Sequence, residues 1–207
     1  PYRRQRQMCI RDRNEPENFE TVKEFSLKIG TALKRMEQLI QSMLKITRID
    51  AGSISFEKSN YSIPNIINHA ISELTTRADN EKKEIVIDGD LEQMLYCDIE
   101  WTGEAIGNII KNALDHTDTG GKISISWEQT PAMIRIFITD NGHGISQEDI
   151  HHIFKRFYRS KNTSESQGIG LGLPLAKAIV EGQGGILSVQ SELLQGTTFT
   201  LSFLTES

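Results

Sequence analysis

Cysteine is nearly missing from this chain. Cys9 and Cys97 are the two in 207 residues, which leaves no disulfide framework and no metal-ligand spacing and points to a reducing, cytosolic setting. Long apolar runs are missing as well. No stretch approaches the ~20 residues that cross a bilayer, and no signal-peptide pattern opens the sequence. Any membrane anchor of a parent protein is therefore expected outside it. A basic excess is also lacking: the formal net charge is -5 and the pI about 5.6, so nucleic acid is not an expected partner. No internal repeat occurs, and no histidine precedes His69. The triplet Asn162-Thr163-Ser164 matches a glycosylation acceptor, but in a reducing compartment it is a chance match.

What is present is ordinary globular composition, 37% apolar and 25% charged, enough for one substantial domain with an appendage. Residues 1–18 are arginine-rich without apolar periodicity and read as a disordered or foreign leader. From Phe19 to Asp50, Val22, Phe25, Leu33, Met36, Ile40, Met43 and Ile46 recur at helical spacing, predicting one long amphipathic helix stopped at Gly52. Ile54–Glu57 reads as a short strand, and Pro64 as the first turn of a helix reaching Lys82. Strands follow at Glu84–Asp88 and Leu95–Cys97, then a helix capped by Asp98 and carrying Trp101, Ala105, Ile109 and Leu114. Lys122–Glu128 and Met133–Thr139 form an alternating hairpin. His143 to Gln167 is polar and weakly periodic, as suits a functional loop. A helix over Gly172–Gly182 and strands at Leu187–Ser191 and Thr198–Phe203 complete the pattern.

Asp140-Asn141-Gly142-His143-Gly144 and Gly168-Ile169-Gly170-Leu171-Gly172 stand out within it. Glycine lets backbone N–H groups approach a phosphate and permits positive φ. The second segment opens a helix, whose N-terminus favours an anion. Asn108 and Asn112, four apart, put two amides on one helix face. An amide oxygen suits Mg²⁺, although two solvated polar positions would look the same. Asp140, just after an apolar strand, can accept from the exocyclic amine of adenine, or simply form an Asp-Asn-Gly turn.

The segments Asn108–Thr117, Asp140–Ile145, Ile153–Ser160 and Gly168–Leu173 resemble, in order and spacing, the N, G1, F and G2 boxes of sensor histidine kinases. The resemblance runs from about Phe25 to the C-terminus. It implies an α+β fold, a two-layer α/β sandwich of the histidine-kinase, gyrase and chaperone ATPase type, preceded by a long α-helix. Residues 19–52 would be the second helix of a dimerisation hairpin, and 53–207 the catalytic ATP-binding domain.

ATP and Mg²⁺ are the implied ligands. Asn112 is the implied metal ligand, with Asn108 supporting the site and Asp140 reading the base. Lys111, His116, Gly142, Gly144, Phe157, Gly168, Gly170, Gly172 and Thr198 complete the nucleotide site. Phe154 and Phe157 would anchor a lid on which Arg156, Arg159 and Lys161 could grip the γ-phosphate. A response regulator, and a second copy joined through the dimerisation helices, are the implied partners. The domain would be cytoplasmic and its parent anchored in the cell membrane.

Two features depart from the family pattern. Asp115-His116 stands where relatives carry a basic residue and an aromatic one. His116 could still stack on adenine, whereas Asp115 cannot attract phosphate. The phosphoacceptor histidine is also missing, so the chain is expected to bind Mg-ATP without phosphorylating itself. The alternatives are an ATP-hydrolysing protein of the same fold, with Glu104 as the nearest general base, a nucleotide-sensing module, and a serine kinase acting on a protein.

Overall fold

The computed structural model describes residues 17–160 and 168–205, with side chains from Thr21 onward. The leader through residue 16, Lys161 and the Asn162-Thr163-Ser164 triplet lie outside the described residues.

The long helix, α1, runs Glu17–Asp50, two residues longer at its start than the periodicity indicated. The chain divides into two compact units, up to Gln41 and from Ser42 on. In the first, Val22, Phe25, Leu33, Met36 and Ile40 are all exposed, an apolar stripe that no other described residue covers. An i,i+4 pair, Glu24–Lys28 at 2.7 Å, lies along it. The second unit takes the last turns of α1, where Ile46 is 1% exposed. That burial explains why the division falls inside the helix and not at Gly52.

The second unit is a two-layer α/β sandwich. After β1 (Ser59–Ser62) come α2 (Ile63–Ile71), α3 (Thr75–Asn80), β2 (Glu84–Asp88), β3 (Met94–Cys97) and α4 (Ile99–His116). Then follow β4 (Lys122–Gln129), β5 (Met133–Asp140), the single turn α5 (Gln147–Ile150), α6 (Gly172–Gly182), β6 (Ile186–Glu192) and β7 (Gly196–Leu204). The main sheet has the order β2-β4-β5-β7-β6; β2 and β4 are parallel and the other neighbours antiparallel. β1 and β3 pair separately.

Strand alternation decides which face is covered. Ile123, Ile125 and Trp127 of β4, Ile134, Ile136 and Ile138 of β5, and Phe199, Leu201 and Phe203 of β7 are buried, while the residues between them face outward. The helix layer meets this face with Ile66 and Ile67 of α2, Ile106, Ile109 and Ile110 of α4, and Leu175, Ile179 and Val180 of α6. Each such side chain, fully buried, contributes about 1.5–3 kcal/mol. Asp98 caps α4 as expected, its carboxylate accepting from Trp101 N at 3.2 Å and from Glu57 N at 2.9 Å.

Several sequence expectations shift. Ile54–Glu57 is not a strand: Phe56 packs edge-on against Trp101 at 5.9 Å, and Glu57 N goes to Asp98, so side-chain contacts hold the segment in place of a ladder. The helix expected through Lys82 breaks after Ile71. There Ser72 Oγ donates back to His69 O at 3.0 Å and Leu74 N bonds Ile71 O at 2.8 Å, local bonds that compete with helix continuation. The polar stretch after His143 contains α5, whose first turn is capped by Ser146 Oγ accepting from Asp149 N at 3.1 Å.

Candidate functional site

A row of side chains crosses the covered face at one end of the sheet. Register pairs Ile123 with Asp140, Asp140 with Thr197, and Thr197 with Ser191, so an apolar row ends in three polar groups. Asp140 is 4% exposed. Burial raises its carboxyl pKa above the ordinary value, and the backbone N–H groups of Gly142 and Thr197 partly offset this. Gly142 N donates to Asp140 Oδ1 at 2.9 Å. A buried carboxylate held only by backbone donors keeps lone pairs for a further donor.

The glycines around it are close to other backbone. A Cβ at Gly142 would lie 2.2 Å from His116 O, and one at Gly144, where φ is +68°, would lie 2.0 Å from Glu192 O. His143 N donates to His116 O at 3.1 Å and Leu194 N to His143 O at 2.7 Å. The segment Asp140–Gly144 is thus clamped between the end of α4 and the β6–β7 turn. His116 is largely buried, and burial foremost holds its imidazole pKa down; Asp115 raises it and His143 lowers it further.

Along α4, Asn108 Nδ2 donates to Glu104 O at 3.0 Å, and a Cβ at Gly172 would stand 3.2 Å from Asn108 Oδ1. The glycine segment that opens α6 therefore meets the asparagine helix directly. Asn112, half-buried one turn later, makes no side-chain hydrogen bond among the described residues. Lys111 is exposed. Glu104 is paired with Lys45, Nζ to Oε1 2.6 Å. Asp115 is also paired: Arg77 of α3 reaches it at 2.6 Å and Glu81 at 2.6 Å, so its charge is countered away from any phosphate. Thr117 Oγ1, just past α4, is buried without a partner among the described residues.

The segment after α5 is anchored unevenly. Phe154 packs edge-on against Phe199 at 6.4 Å, with Lys177 Nζ 5.0 Å above its ring. Phe157 is instead 53% exposed with φ +63°, its N–H donating to Gly170 O at 2.9 Å. Its backbone, more than its ring, meets the second glycine segment, where Gly170 has φ +76°. Gly168 is open: a Cβ there would meet no atom of the described residues within 4 Å. Asp149 braces the segment, accepting from Tyr158 Oη and from Ser160 Oγ, the latter at 2.6 Å. Those bonds, Ser160's first, hold its carboxyl below the ordinary range. Arg156 bonds Asp50 at the end of α1.

Thr198 lies one residue off the row. Period-two alternation turns it to the outer face, where its hydroxyl meets Thr139 Oγ1 at 3.0 Å, while Thr197 shares the face of Asp140. Counting back by two from the buried Phe199 would have found Thr197. Ser191 and Asp149 carried no comparable local signal.

Residues 97–207 match the family described as histidine kinase-, DNA gyrase B-, and HSP90-like ATPase. The chain belongs to that family. The sensor protein SrrB of Staphylococcus aureus is 30% identical over 170 residues, covering 81% of this chain and 29% of SrrB; the chain thus spans under a third of the curated relatives it matches. The mycobacterial sensor histidine kinase MprB superposes with TM-score 0.63 at 25% identity, covering 71% of this chain and 97% of that one. The histidine kinase ThkA, solved in complex with the response regulator protein TrrA, gives TM-score 0.72 at 20% identity over 93% of this chain and 53% of that one. Within this ATPase family the chain carries a sensor histidine kinase catalytic domain, with the α+β architecture expected of it.

Proposed function

We propose that the chain binds Mg-ATP and donates its γ-phosphoryl group to a histidine on a dimerisation domain, for relay to an aspartate of a response regulator. The observations that support this reading are the close approach of Gly172 to Asn108 and of Gly142 to His116 on the same helix, and an Asn112 amide with no side-chain hydrogen bond among the described residues. Asp140 would accept from the adenine amine, and Gly142 and Gly144 allow close backbone approach to the base. Asn112 would hold Mg²⁺ with Asn108 supporting it, and the metal would neutralise phosphate charge. Gly168, Gly170 and Gly172 would face the phosphates at the N-terminus of α6. Arg156 would reach the γ-phosphate after leaving Asp50. Lys111, His116 and Phe157 remain proposed contributors from the resemblance alone, whereas the side chain of Thr198 lies on the outer face against Thr139.

The ThkA structure with TrrA supports a response regulator as partner. The exposed stripe of α1 supports a second copy packing through dimerisation helices. No helix among the described residues is long and apolar enough to cross a membrane, compatible with a cytoplasmic domain of a membrane-anchored parent. Residues 19–52 would belong to the dimerisation hairpin and 53–207 to the catalytic domain. A hydrolytic ATPase fits less well, because Lys45 occupies the carboxylate of Glu104, the nearest candidate base.

Calorimetry with ATP, with and without Mg²⁺, tests binding; mixing the chain with a histidine-bearing dimerisation domain tests transfer. The expected result is Mg-dependent binding, no phosphohistidine on the chain alone, and acid-labile label on the added domain. No heat with ATP, or label on the chain itself, would contradict the reading.

A further inference from the structure

Ser191 of β6 lies outside every glycine or asparagine segment, yet its hydroxyl meets three groups at the polar end of the row. Ile145 N donates to Ser191 Oγ at 2.8 Å, Ser191 Oγ lies 2.8 Å from Gly196 O, and Thr197 Oγ1 is 2.9 Å away. The direction of the last bond follows from counting protons. A hydroxyl has one proton and two lone pairs. Gly196 O can only accept, so it takes the Ser191 proton. Ile145 N–H can only donate, so it uses one lone pair. The bond with Thr197 must then run from the threonine to the serine, and Ser191 is fully satisfied.

Thr197 has one hydroxyl proton, and it is spent on Ser191. Its lone pairs remain, on a residue that is paired in register with Asp140 and shares its face of the sheet. A base carrying an amine at C6 offers two N–H donors to two acceptors. A base carrying a carbonyl there meets two acceptors and no donor, and leaving buried polar groups so mismatched is costly.

We infer that Ser191 is a positioning residue that fixes the Thr197 hydroxyl as an acceptor and so sharpens the choice of a 6-amino over a 6-oxo purine nucleotide. This rests on the proposed adenine-nucleotide site. Removing the serine hydroxyl frees the Thr197 proton, which can then turn toward a C6 carbonyl.

The test compares Mg-ATP and Mg-ITP (inosine triphosphate) affinities by calorimetry for the unsubstituted chain, Ser191→Ala, Ser191→Thr and Thr197→Val, with thermal melts checking folding. Ser191→Ala is expected to lower the ATP-to-ITP affinity ratio by roughly 3- to 10-fold, the span of one net hydrogen bond. Ser191→Thr, which keeps a hydroxyl, restores the parent ratio. Thr197→Val lowers the ratio too, because an acceptor facing the carbonyl is gone, and it decides the matter should Ser191→Ala not fold. Equal loss of both nucleotides in Ser191→Ala, or a parent ratio in Thr197→Val, overturns the assignment. Failure of the unsubstituted chain to bind ATP sinks the nucleotide site itself, and the assignment with it.

Discussion

The Arg156 guanidinium donates to the Asp50 carboxylate, joining the segment after α5 to the last turn of α1. The two side chains are 40% and 48% exposed, so the pair is worth about 0–1 kcal/mol in water, and a polyphosphate can compete for the guanidinium. Asp50→Asn is expected to tighten ATP binding by up to about fivefold and to leave adenosine, which has no phosphate, unchanged. Parallel calorimetric titrations check this; equal gains for both ligands would show that Arg156 is not drawn by phosphate.

Asp140 gives the site a pH dependence of definite sign. Burial raises its pKa above 3.8, so the stability it contributes is complete below that value and lost as pH rises through the raised one. Binding runs the other way, because the carboxylate form accepts the amine. ATP affinity should therefore fall on acidification, starting at a higher pH than an unburied aspartate would give. Asp140→Asn should weaken ATP by roughly 10- to 150-fold, the span for a hydrogen bond to a charged group, and remove that acid limb.

Asn112 separates ligand binding from folding. Its amide has no partner among the described residues, so Asn112→Ala should change unfolding free energy by less than about 0.5 kcal/mol. The affinity that Mg²⁺ adds to ATP should disappear, as read by titrations with the metal and with chelator.

Gly142 and Gly168 should answer substitution differently. Gly142→Ala drives a Cβ to 2.2 Å from His116 O, whereas at Gly168 nothing among the described residues lies within 4 Å. Denaturant unfolding should show the first destabilised by about 1–3 kcal/mol and the second close to neutral.

Burial of Ile46 makes the end of α1 part of the second unit. Its exposure is 1%, and Ile46→Ala should cost about 2–5 kcal/mol in denaturant unfolding. Phe25→Ala, at a 66% exposed position of the first unit, should change the same measurement little.

Much of this was legible in local pattern. Alternation in β4 and β5 identified the covered face, Asp98 announced the start of α4, and the glycines marked where backbone comes close to backbone. The i,i+4 pair Asn108 and Asn112 needed only the helical repeat. These features are encoded within a few residues of one another, so a sequence window contains their cause.

Tertiary structure decided the remainder. Ser72 bonding back to His69 ended a helix whose apolar spacing continued, and Arg77 neutralised an Asp115 that looked out of place beside phosphate. Register put Thr197, not Thr198, beside Asp140, and brought Ser191 to both Ile145 and Thr197. The sequence by itself determined the elements and their faces, because side-chain periodicity and turn chemistry act locally. Which distant groups meet was set only when the strands paired and the helices packed, since a hydrogen bond or ion pair depends on positions that no single stretch of chain specifies.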